Sequence, residues 1–148
     1  GETATPKSIQ DAFNKALSVR DVVKKAIKVG VRADETMKNM DAALRAAGFG
    51  VIEFNRPNKD EKTDVVYGFH PVGNTGHDIG PSLTTWQPLQ TTFVMHAQHM
   101  FSFEYFAYTP IAEWGGAKLR VPIEDDAILT DAGIQFLHPA NYRLLVIK

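Results

Sequence analysis

The sequence predicts an α+β fold, with N-terminal helices over about residues 8–47 packed on a mainly antiparallel β-sheet built from about residues 50–148. Three observations carry this. Apolar residues recur at helical spacing up to Ala47, β-branched and aromatic residues alternate at period two beyond it, and Gly- and Pro-rich turns cluster in the second part. At 148 residues the chain can bury roughly two-thirds of its unfolded surface in a core of its own. One domain is expected, with a helical subregion 8–48, a sheet subregion 49–148 and a long loop 70–90.

Taken in order, Ser8 stands three residues before Asp11, and Ile9, Ala12, Phe13, Ala16 and Leu17 form one apolar stripe, which predicts a short capped helix. Ser18, Asp21, Val19, Val22, Val23, Ala26 and Ile27 repeat the pattern ten residues on, with Gly30 as a stop. Ten residues at 100° each fall about 80° short of whole turns, so the stripes would not superpose on one straight helix and a break near Ser18 is expected. A further helix over about Asp34–Ala47 has Met37, Met40, Leu44 and Ala47 on one face, with Asp34 or Glu35 at its positive end and Gly48 ending it.

Val51–Phe54 and Val65–Phe69 read as two strands of a hairpin around the charged turn Pro57–Lys62. Residues 70–88, rich in Gly, Pro, Asn and Thr, read as a long loop of the kind that forms lids or binding segments. Thr91–Thr109 alternates throughout and predicts one long bent strand or two. Phe101, Phe103, Tyr105 and Ala107 share one face with His99, while Ser102, Glu104, Phe106 and Tyr108 share the other with His96. After a turn at Trp114-Gly115-Gly116, short strands are expected at 118–121, 134–137 and 142–147, with Glu124-Asp125-Asp126 and Asp131-Ala132-Gly133 as turns.

The formal net charge is −1. This argues against a nucleic-acid coat or an anionic-membrane binder, both of which need a summed positive field. The absence of cysteine excludes disulfide scaffolds, thiol catalysis and thiolate metal sites. No apolar run reaches the ~20 residues of a spanning helix, so no membrane insertion is expected. No phosphate-binding glycine motif occurs, and no cofactor is expected. Gly at position 1 and a strand-like run at the end suggest a piece cut from something larger. The sequence assigns no compartment.

The charge is unevenly placed: +3 over residues 1–48, zero over 49–62, −4 over 63–117 and zero over 118–148. Segment 63–117 has no Lys or Arg, four of the five histidines and ten of the fifteen aromatic residues. Such a segment is either interior or a surface that something covers. The first functional expectation is therefore a non-enzymatic binding or assembly domain, using 63–117 for a protein partner or for self-association. The alternative is a small-molecule pocket, possibly enzymatic, lined by the 93–108 strand with loop 70–88 as lid and taking a small apolar ligand.

Candidate binding residues are His70, His77, Trp86, His96, His99, Glu104, Phe106 and Tyr108. His96 and His99 are the metal candidates, but three-apart histidines on a strand point to opposite faces, so no metal site is expected there. Glu104, between aromatic residues, would become a general base if burial raised its pKa. A Ser-His-Asp trio can be drawn from several residues, yet no Gly-x-Ser-x-Gly elbow supports one.

Overall fold

In a computed structural model the chain is described over residues 3–53, 56–73 and 76–147. Phe54 of the first predicted strand, Asn74 and Thr75 of the loop and Lys148 lie outside the described residues. Two helices, α1 (Lys7–Ala26) and α2 (Ala33–Ala46), pack on a mixed, mostly antiparallel sheet. Its strands are β1 (Gly50–Val51), β2 (Asp64–Tyr67), β3 (His70–Pro71), β4 (Met100–Pro110), β5 (Lys118–Thr130) and β6 (Gly133–Phe136), in the order β1-β2-β4-β5-β6, with β3 also on β4. The α+β reading therefore holds.

The expected break at Ser18 is absent, and the reason is the true stripe. Ala12, Phe13, Ala16, Val19, Arg20 and Val23 are buried along one continuous face, because steps of three and four residues link the two decamers without rotation. Ser18 sits inside the helix with its hydroxyl donating to the Lys15 carbonyl. Ser8 does not cap: Pro6 occupies the N-cap, and Lys7 pairs with Asp11 along the first turn. In α2 the acidic first turn and the buried Met40 and Leu44 follow expectation, and Gly48 follows at φ +88°, the left-handed geometry that ends the helix.

The predicted hairpin is corrected to a parallel pair, Gly50 facing Asp64 and Val51 facing Val65. The intervening segment does not reverse directly. Asp64, fully buried, accepts hydrogen bonds from the backbone and side-chain nitrogens of Asn58 and pairs with Lys118, so the chain swings round and re-enters in the same direction. A Cβ on Gly50 would lie 2.1 Å from the Asp64 carboxylate, so the approach requires glycine.

The long alternating run forms a strand only from Met100. Gln98 takes a left-handed φ of +66°, and residues 93–95 bond to the segment between the helices instead, through Gly30 N to Met95 O and Met95 N to Val31 O. Within β4 the alternation is as expected: Phe101, Phe103, Tyr105 and Ala107 are buried beneath the helices, with the Tyr105 hydroxyl donating to the Ala16 carbonyl at 2.6 Å. The predicted turn at 124–126 is instead the middle of β5, an unbroken strand of 13 residues. Its acids find partners on both faces, Asp125 with the buried Arg20 and Glu124 with Ser102, so nothing forces the chain to turn.

Thr130–Gly133 forms the expected tight turn, Gly133 at φ +106°. Residues 142–147 are not a strand. Arg20 donates to the Asn141 carbonyl and lies over the Tyr142 ring, which ties the tail to α1 rather than to a sheet edge.

Candidate functional site

β4 and β5 pair in a register that places Glu104 directly opposite Glu124. Both project from the face away from the helices, the face of Ser102, Phe106 and Tyr108. β3 pairs with β4 one step further, setting His70 opposite Ser102. One ligand atom from each of His70, Glu104 and Glu124 lies within 4.8 Å of the others, the sole such group of three among the described residues.

Two carboxylates facing each other across a ladder repel unless a proton or cation lies between them. Burial, and then the charge of Glu124, raise the Glu104 pKa above the usual carboxylate range, partly offset by His70, His77 and Arg120. The imidazole is oriented for the same centre. Its Nδ1 donates to the Pro71 carbonyl at 3.2 Å, which turns Nε2 toward the cluster, 3.8 Å from Glu104 Oε2. Ser102 donates to Glu124 Oε1 at 3.0 Å and fixes that carboxylate in turn.

The cluster opens into a cavity of about 630 Å³ lined by His70, His77, Ser102, Glu124 and Asp126. His77 stacks on His70 with ring centroids 4.0 Å apart. On its other side Glu104 lines a smaller cavity of about 200 Å³ with Tyr67, Gly68, Trp86, Phe106 and Arg120.

Of the candidates read from the sequence, His70, His77 and Glu104 come together here, and Trp86 and Phe106 wall the smaller cavity. Tyr108, on the same face, is buried. His96 and His99 stand apart: they precede β4, His96 is exposed, and His99 is tucked against Phe101 with its pKa lowered by burial and then by His96.

Sequence reasoning places Ser102 on the Glu104 face but misses Glu124, and with it Asp126 and Arg120 in its surroundings. A signal for Glu124 existed. The turn expected at Trp114-Gly115-Gly116 makes residue 114 a mirror point that carries Glu104 onto residue 124, but reading 124–126 as a turn hides the pairing.

No protein-family model matches the sequence, and no curated protein matches it. Solved structures do match in fold. One is an X-Pro aminopeptidase from Thermotoga maritima, 18% identical with a TM-score of 0.61, covering 93% of this chain and 34% of that one. Another is a dipeptidase from Pyrococcus horikoshii, 16% identical with a TM-score of 0.61, covering 99% of this chain and 35% of that one. The chain thus spans about a third of the length of these proteins and shares the fold of that third.

Proposed function

We propose that the chain binds a transition-metal dication through His70, Glu104 and Glu124 and supplies this centre to hydrolysis of a peptide or related amide. The observation that carries the reading is the paired, mutually repelling Glu104 and Glu124 with Nε2 of His70 turned toward them. One imidazole and two carboxylates suit such an ion, and three protein ligands leave positions open, as catalytic sites do. That the two solved structures of like fold are an aminopeptidase and a dipeptidase supports the choice of reaction.

When bound, the ion would polarise a carbonyl and lower the pKa of a bound water. The remaining work belongs to the chain. Ser102 and the Pro71 carbonyl hold Glu124 and His70 in place. Glu104, as a ligand, would be held as the carboxylate, so the proton that its raised pKa favours in the metal-free site would leave on binding. His77, on the same cavity wall, is a second imidazole within reach of that space.

Cobalt(II) titration followed by calorimetry and visible absorption tests this. One ion is expected per chain, with affinity falling at least about tenfold in His70→Ala and Glu104→Gln, in line with losing a ligand, and unchanged in His96→Ala. No binding above a chelator-treated blank, or an equal loss in His96→Ala, would sink the reading.

A second reading, association through the exposed aromatic side chains Trp86, Phe93 and Trp114, is favoured by their exposure. Native mass measurement tests it: a strict monomer at all concentrations argues against it.

A further inference from the structure

We propose that the smaller cavity beside Glu104 is a subsite for a small apolar carboxylate, with Arg120 receiving the carboxylate and Trp86, Tyr67 and Phe106 enclosing the apolar part. In the reaction proposed above, on which only the role of this subsite rests, that group is the C-terminal residue of a short peptide.

The strands make the cavity. β4 carries Glu104 and Phe106 on one face, and β5 brings Arg120 opposite Tyr108, diagonal to Phe106. Arg120 folds back so that its guanidinium carbon lies 3.9 Å from the Phe106 ring centroid. Stacking holds the plane of the guanidinium and leaves its edge N–H groups for an anion. Among the described residues no carboxylate lies within ion-pair distance of Arg120, and its charged partner across the cavity is Glu104, whose pKa it lowers.

The far wall is equally specific. The Trp86 indole lies against the backbone of Gly68, where a Cβ would come within 2.8 Å of the ring, so the glycine admits the indole. The Tyr67 ring is pinned by its hydroxyl donating to Asp41 at 2.5 Å.

A volume of about 200 Å³ suits one side chain, since an apolar cavity of about 150 Å³ holds benzene. Glu104 belongs to the metal cluster and also lines this cavity, so a carbonyl at the former and a carboxylate at Arg120 suit one short substrate. Its polarity is also matched, with the acidic centre at one end and the Arg120 guanidinium at the other.

Hydrocinnamate and its uncharged amide hydrocinnamide, added in chelator to the ¹⁵N-labelled chain, test the subsite through the two indole N–H signals. Hydrocinnamate is expected to shift Trp86 and leave Trp114 in place, hydrocinnamide to bind at least about tenfold more weakly, and Arg120→Gln to abolish the difference. Arg120→Lys, which keeps charge but not the stacked plane, falls between. Arg120 is exposed, so an unchanged melting temperature confirms that these variants fold. Equal binding of acid and amide, or wild-type hydrocinnamate binding in Arg120→Gln, overturns the proposal. Cobalt(II) titration of the same samples separates the two ideas: cobalt binding without a hydrocinnamate response overturns the subsite alone, and a hydrocinnamate response without cobalt binding overturns the metal centre alone.

Discussion

Glu124→Gln is expected to make the metal-free chain more stable while removing its affinity for metal. The side chain keeps its shape and its acceptor oxygen for Ser102, so the substitution removes charge and little else. Two unit charges within 4.8 Å repel by about 0.9 kcal/mol in water and about 3.5 kcal/mol at an effective dielectric of ~20. Glu124 is exposed and the Glu104 side chain is 28% exposed, which places the pair near the aqueous limit, so about 1 kcal/mol is expected. For a chain of this size that raises the melting temperature by about 3 °C.

The gain depends on pH in a definite direction. The folded pKa of Glu104 lies above its unfolded value, so its contribution is full below the ordinary carboxylate range and is lost as pH rises through the raised folded value. Wild-type stability in chelator should therefore fall across that window, and Glu124→Gln should flatten the fall. Thermal unfolding followed by circular dichroism, in chelator and in cobalt(II), measures both. A Glu124→Gln melting temperature at or below wild type above neutrality, or a gain just as large once both carboxylates are protonated, would refute the repulsion between them.

Two further outcomes follow from the packing. Arg20, 1% exposed, pairs with Asp125, donates to the Asn141 carbonyl and lies over Phe136 and Tyr142. Arg20→Met should cost about 3 kcal/mol by leaving Asp125 without its partner, read as a lower denaturant midpoint, and adding Asp125→Leu should recover most of it; no recovery would show that the charge pair is not the cause. Gly68→Ala should push the Trp86 indole outward at a cost of about 1 kcal/mol or less, because the ring is already half exposed. Increased quenching of one tryptophan with the fold intact is the expected result, and unchanged emission would contradict the wall described for the smaller cavity.

The class of fold was legible in the sequence because each element's own periodicity is a local property. α2, the inward face of β4 and the Thr130–Gly133 turn all follow from spacing and from residues with restricted backbones. Glu104 was legible for the same reason, as an acid out of place among aromatic residues on a strand. Its partners were not, because His70, Glu104 and Glu124 are joined by strand register, and register depends on where a hairpin turns and what each acid finds across the ladder. The run 124–126 looks like a turn until Arg20 on α1 and Ser102 on β4 are brought against it from opposite faces. The parallel β1–β2 pair was hidden likewise, since it depends on Asp64 holding both Asn58 and Lys118. Spacing along the chain determined which residues face inward and which outward; only the tertiary structure decided which outward charges meet, because that meeting is between residues far apart in the chain.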